Sequence, residues 1–100
     1  MYNHIILFRF APNVTHERCL SLLAGLGGLK NHIAEIRGFS YGVNDESNAY
    51  GKDYKYAFVM SFDNVEDRMI YQQHVLHQEY IHTYLNPYID DAIVFDMICC

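Results

Sequence analysis

Tryptophan is absent from this chain, proline occurs twice and cysteine three times. With only Pro12 and Pro87 to interrupt them, long stretches are free to form regular secondary structure. The cysteines are Cys19, Cys99 and Cys100. An odd number without metal-ligand spacing excludes a disulfide framework and a zinc site from the expectations, and a reducing cytoplasm is the expected location. Basic residues are also scarce. Lys and Arg number 7 against 12 Asp and Glu, for a formal net charge of −5. No stripe of positive charge can form to neutralise phosphates, so nucleic acid is not expected as a partner. No apolar run reaches membrane-spanning length, so no membrane partner is expected either. The opening Met1-Tyr-Asn-His-Ile-Ile has no charged segment ahead of its apolar residues, and export through a signal peptide is not expected.

The chain is otherwise rich in material for a core. Hydrophobic residues make up 51% of its 100 residues, enough for one folded domain over 1–100. Nine Tyr and six Phe bring the aromatic share to 15%. So many phenols suggest half-buried surface, apolar along the ring and polar at the tip, which suits a pocket or a subunit interface.

Residues 3–10 read as a strand, with His4, Ile6, Phe8 and Phe10 on one face and Ile5, Leu7 and Arg9 on the other. Thr15 is placed to cap a helix, with Glu17 in its first turn. Cys19, Leu22, Leu23, Leu26, Leu29, Ile33 and Ile36 then recur at helical spacing and predict one amphipathic helix. Gly25, Gly27 and Gly28 inside it point to close packing or a break; Gly-x-Gly-Gly does not match a dinucleotide fingerprint, and no cofactor is expected. Phe39, Tyr41 and Val43 alternate in a short strand. Residues 44–53 are polar and predict an exposed loop. Tyr54 to Phe62 alternates cleanly: Tyr54, Tyr56, Phe58, Met60 and Phe62 share one face, and the smaller Ala57, Val59 and Ser61 predict the face where a helix sits close. Asp63 or Asn64 can cap a second helix, long or broken in two, that stops at Asn86-Pro87. Residues 92–98 form a last, mostly apolar strand.

The order β-α-β-β-α-β is the ferredoxin-like split βαβ pattern of an α+β protein, an antiparallel sheet with helices on one face. The other face is expected to be apolar and aromatic, and a second copy of the chain is its simplest cover. A homodimeric α/β barrel follows.

The chemistry concentrates in Tyr71-Gln-Gln-His74-Val-Leu-His77-Gln-Glu-Tyr80. His74 and His77, at i and i+3, could share a metal, but no carboxylate or third histidine stands at a matching ligand position, so no metal site is expected. Tyr71 and His77 are six residues apart and fall on different faces of an unbroken helix; they meet only if the helix breaks between them. His4, His74 and the tyrosines can equally be satisfied core or interface residues.

These segments resemble the stress-responsive dimeric α/β-barrel domain family. His4-Ile-Ile-Leu-Phe-Arg-Phe10 is similar to its opening H-x-x-L-F-[KR]-F. Tyr71-x-x-His74-x-x-His77-x-x-Tyr80 is similar to its Y-x-x-H-P-x-H-x-x-[FY] signature, with Val75 in place of the proline. Residues 54–62, 85–91 and 94–96 resemble its third strand, helix end and last strand. The resemblance implies a ferredoxin-like protomer in a homodimeric barrel. It also implies a site, because the family includes a plant polyketide cyclase that closes a poly-keto thioester by aldol chemistry. The catalytic histidine and tyrosine of that cyclase match His77 and Tyr71, and its first-strand pocket histidine matches His4. Its second pocket histidine corresponds to Tyr56.

Aldol closure needs a base to take a proton beside a carbonyl and a donor to hold the developing enolate. His77 is the candidate base and Tyr71 the candidate donor, with His4 and Tyr56 as substrate-binding residues. The leading expectation is a homodimer that binds a small aromatic or keto-acid ligand, with cofactor-free cyclase- or lyase-type activity. The alternatives are a non-catalytic stress-response assembly protein and a cofactor-free monooxygenase.

Overall fold

In a computed structural model, which describes residues 1–48 and 50–100, four strands form one sheet in the order β2-β3-β1-β4. The strands are β1 (Tyr2–Phe10), β2 (Gly38–Val43), β3 (Tyr56–Phe62) and β4 (Ile89–Ile98). Every neighbouring pair is antiparallel. The helices are α1 (His16–Gly27), α2 (Val65–Gln73) and α3 (Val75–Tyr80). This is the expected ferredoxin-like α+β architecture, with the second helical segment broken in two. Ala49, inside the predicted loop 44–53, lies outside the described residues.

Local signals set the helix starts. The Thr15 side chain accepts a hydrogen bond from the Arg18 amide, and the Asn64 side chain accepts one from the Asp67 amide. Each satisfies an amide that the first helical turn leaves free. Of the two candidate caps for α2, Asn64 holds the position.

Two expectations are corrected. The apolar spacing from Cys19 to Ile36 is not one helix. α1 stops at Gly27, a short 3-10 turn covers Gly28–Asn31, and Ile33 and Ile36 reach the core from the irregular segment beyond it. A buried segment can keep its apolar spacing after its backbone leaves the helix, so periodicity alone overran the end. The second correction concerns the faces of the sheet. The helices cover the large-residue face, where Phe8, Phe58, Met60 and Phe62 are buried against Leu22, Leu23, Leu26 and Leu85. The smaller Ala57, Val59 and Ser61 lie on the open face with Ile5, Leu7, Ile93, Phe95 and Met97, as the pairing register requires. That open face is mainly aliphatic, with Phe95 exposed on β4. Bulky rings on the inner face fill the gap between sheet and helices, and each fully buried ring contributes about 1.5–3 kcal/mol.

One glycine lets a helix and a side chain meet. A methyl group added at Gly25 would run into the Tyr80 hydroxyl, which donates to the Leu22 carbonyl at 2.6 Å. Gly25 thus seats α3 on α1.

Candidate functional site

The site is built where the second helical segment breaks. His74 has an extended backbone (φ −66°, ψ 135°) between α2 and α3. Its Nδ1 accepts a hydrogen bond from the Leu76 amide at 3.1 Å, and its carbonyl accepts the Gln78 amide at 3.1 Å. His74 is therefore an N-cap, its imidazole doing what Ser or Asn does elsewhere. Val75 follows at the first helical position, where a proline fits without loss of a hydrogen bond. The break forms here without one.

The turn at His74 folds α3 back so that Tyr71 and His77 meet, with ring centroids 4.3 Å apart. His77 Nδ1–H donates to the Gln72 carbonyl at 3.0 Å. A carbonyl only accepts, so the proton of the neutral ring resides on Nδ1 and Nε2 keeps its lone pair. Burial holds the His77 pKa below the usual histidine value, with the Gln72 bond pulling the other way. Tyr71 is 1% exposed. Burial pushes its pKa well up, moderated by the Arg68 charge, so it is a neutral donor.

His4 comes to the same place from β1. It is 4% exposed, and its ring centroid lies 6.3 Å from that of Tyr71. Its Nδ1 is 2.5 Å from Asp96 Oδ1, across the β1–β4 pairing. Burial lowers the His4 pKa more than the Asp96 bond raises it. The contact is therefore a neutral imidazole donating to a carboxylate rather than an ion pair, and Nε2 of His4 is left as an acceptor.

Tyr56 is not brought to this cluster. On β3 it pairs with Phe8, whereas His4 pairs with Met60, so the two positions are about four strand residues apart, or ~13 Å. The Tyr56 hydroxyl instead hydrogen-bonds His16 Nδ1 at 2.7 Å, and its ring packs edge-on against Phe10. Of the four residues singled out in the sequence, the structure gathers His4, Tyr71 and His77 and leaves Tyr56 aside.

Two residues that the sequence reading passed over belong to the cluster. Asp96 orients His4. Arg68, one helical turn before Tyr71 on α2, has its guanidinium carbon 5.9 Å from the Tyr71 ring centre. Its side chain is only 11% exposed, and its buried Nε has no hydrogen-bond partner. The i, i+3 spacing of Arg68 and Tyr71 was the available signal for one shared face. Among the described residues, no group of three His, Cys, Asp or Glu side chains is placed to hold a metal ion.

A ferredoxin-like sheet with a broken helix and a His–Tyr cluster beneath it places the protein among the α/β-barrel type. The model of the stress-responsive A/B barrel domain family matches residues 2–99, and the chain belongs to that family. The solved structures it resembles share the fold. A crystal structure of At3g17210 from Arabidopsis thaliana superposes with a TM-score of 0.91 at 24% identity, covering 100% of this chain and 96% of that one. A dimeric ferredoxin-like protein of unknown function from Jannaschia sp. CCS1 gives 0.82 at 19% identity, covering 98% of each chain. A hydroxynitrile lyase from Passiflora edulis gives 0.88 at 17% identity, covering 99% of this chain and 93% of the other. Among the described residues no helix is long and apolar enough to cross a membrane.

Proposed function

We propose that residues 1–100 form one protomer of a homodimeric α/β barrel that binds a small aromatic or keto-acid ligand at His77, Tyr71 and His4. The reading includes cyclase- or lyase-type chemistry without a cofactor. The observation that carries it is the meeting of Tyr71 and His77, with His77 Nδ1 committed to Gln72 so that Nε2 is free. A base with a lone pair and a neutral phenol stand side by side. In the proposed step, Nε2 of His77 takes a proton from a carbon beside a carbonyl. The electron pair moves to the carbonyl oxygen, which the Tyr71 hydroxyl receives as an enolate. Closure on a second carbonyl or loss of a leaving group follows, and the imidazolium returns its proton. One of the structural relatives is described as a hydroxynitrile lyase, a lyase on the same fold.

The homodimer is supported by the open sheet face, with Leu7 38%, Val59 37%, Ile93 43% and Phe95 60% exposed, and by a relative described as dimeric. An apolar patch of that kind on one protomer calls for a cover. Three free thiols suit a cytoplasmic protein in a reducing environment.

One observation favours a second reading. Tyr71 and His4 are almost fully buried among core side chains, and His4 is tied to Asp96. A non-catalytic assembly protein would use the same residues to hold its core. A thermal-shift screen of aromatic and keto acids against wild type and His77→Ala separates the two. Under the binding reading, one compound class raises the Tm of wild type and leaves the variant unmoved. A ligand at a hundred times its Kd adds ~2.7 kcal/mol, which such a screen detects. If nothing shifts wild type and the variant melts many degrees lower, the assembly reading replaces it.

A further inference from the structure

Arg68 is the conspicuous unspent group near this site. A guanidinium has five N–H donors and carries its charge at any relevant pH. Here Nη1 donates to Gln72 Oε1 at 2.8 Å. Nη2 is 3.9 Å from Asp96 Oδ2, beyond hydrogen-bond reach, and Asp96 Oδ1 is already taken by His4 at 2.5 Å. Nε is buried and unpaired. Leaving the buried Nε of a charged group without an acceptor is costly, and Asp96 reaches only the far edge of the fork. The guanidinium carbon lies 5.9 Å from the Tyr71 ring centre, and Asp96, which holds His4, is its neighbour on β4. An anion placed here would meet the Arg68 guanidinium and the Tyr71 ring, with the Asp96 carboxylate alongside.

The strip of sheet beside Arg68 offers a landing for the rest of such a ligand. Val94 and Asp96 alternate on the helix-side face of β4, in register with Ile6 and His4. The helices leave this edge uncovered: Val94 is 55% exposed, and the Asp96 side chain is 33% exposed. An apolar body can rest on Ile6 and Val94 while its charged end turns towards Arg68. The Asp96 carboxylate beside the guanidinium already offsets its charge, so the site can take a monoanion at most, not a phosphate dianion. The planar fork of Arg matches a planar carboxylate.

We infer that Arg68 is the anion-recognising residue of the His77–Tyr71–His4 site, so that its ligand is a monocarboxylic acid with an apolar body rather than a neutral ketone, nitrile or thioester. The inference rests on the site reading above. Arg68 takes the carboxylate, and the reacting carbonyl or ring then faces Tyr71 and His77.

The test uses matched pairs: keto and aryl acids, each with its primary amide, titrated into the full chain by calorimetry. The proteins are wild type, Arg68→Met, Arg68→Lys and His77→Ala. We expect an acid to bind wild type at least about tenfold more tightly than its amide, since hydrogen bonds to a charged group are worth that much. Arg68→Met should abolish the preference, and Arg68→Lys, which keeps the charge without the fork, should retain part of it. Acid and amide binding wild type equally, while both depend on His77, overturns the Arg68 assignment and leaves the site standing. An acid that binds His77→Ala as well as wild type overturns the site reading and this inference together, as does failure of every pair to bind wild type at millimolar concentration. Should Arg68→Met not fold, Arg68→Lys decides: an undiminished tenfold preference in that variant refutes the bidentate role.

Discussion

Tyr71 and His77 are separated by six residues, yet their rings lie 4.3 Å apart because His74 leaves the helix between them. The imidazole of His74 holds that break by capping α3. Replacing His74 with Ala removes the cap and should cost about 1 kcal/mol in urea unfolding. It should also let α2 run on into α3, carrying His77 away from Tyr71. Loss of ligand shifts together with a small rise in helical circular dichroism is the expected result. Unchanged binding in a stable His74→Ala protein would mean that the backbone, not the imidazole, sets the break.

Val75→Pro should behave in the opposite way. Position 75 is the first residue of α3, where the amide is not needed within the helix and the fixed φ of proline suits the turn. The substitution is expected to stabilise by about 0.4–1 kcal/mol, chiefly by restricting the unfolded chain. Ligand binding should be kept, because the break it favours is already there. A drop in stability would show that the Val75 side chain or amide does something the geometry does not reveal.

The sequence made the order of elements, the Thr15 cap and the pair Asp63/Asn64 for the second cap legible from local pattern, and it stated the condition for Tyr71 to meet His77, a helix break between them, without deciding it. Three features were missed. The end of α1 at Gly27 was hidden by Leu29, Ile33 and Ile36, which stay buried after the helix ends. The packed face of the sheet was misassigned because ring size argues for a filled interlayer gap as well as for an outer surface, and only the registers of β1, β3 and β4 decide. Arg68 went unnoticed although its i, i+3 spacing to Tyr71 was there to read, and Asp96 because its partner lies on another strand. Asp96 meets His4 across 92 positions of chain, a distance over which no single-sequence spacing speaks.

Stability should depend on pH through His4, which is buried, and His77, which is half-buried. In the fold, burial lowers the pKa of His4, against Asp96 and with Arg68, and that of His77, with Arg68, His4 and His82 pushing the same way. The unfolded chain, with histidines near their ordinary ~6.5, then binds protons that the folded chain refuses. Stability rises with pH wherever the unfolded state holds more protons. The contribution is thus fully present above about pH 7 and falls away as pH drops through the unfolded value of ~6.5 towards the lower folded one. Urea midpoints taken from pH 8 to pH 5 should decline below neutrality, and His77→Gln should decline less steeply. A flat profile would contradict neutral histidines in the fold.

Gly25→Ala tests the seat of α3. Alanine is the better helix former by about 1 kcal/mol, so on an exposed helix the change would stabilise. Here the new methyl meets a tyrosine hydroxyl pinned to the Leu22 carbonyl, and the ring must move or the bond must break. Overpacking of this kind costs about 1–3 kcal/mol, so net destabilisation is expected. The paired change Gly25→Ala with Tyr80→Phe should recover part of the loss, since it removes the oxygen the methyl strikes. Simple additivity of the two changes would place the cost elsewhere.

Phe95→Lys addresses the homodimer. Phe95 sits on the open sheet face opposite Ile5, which in turn pairs with Val59, so one row of side chains runs across three strands. A second copy covering this face would bury the row and leave a lysine there without water or an acceptor, at a cost of several kcal/mol per interface. In an uncovered face the same lysine would sit in solvent and change little, because Phe95 is already 60% exposed in the protomer. Sedimentation velocity at micromolar concentration should therefore show wild type as a dimer and Phe95→Lys as a folded monomer, with near-unchanged circular dichroism. A wild type that sediments as a monomer would remove the dimer. A Phe95→Lys protein that stays dimeric would move the interface off this face. The His77 site lies on the opposite side of the sheet, so ligand binding by the monomeric variant would further show that each protomer carries a complete site of its own.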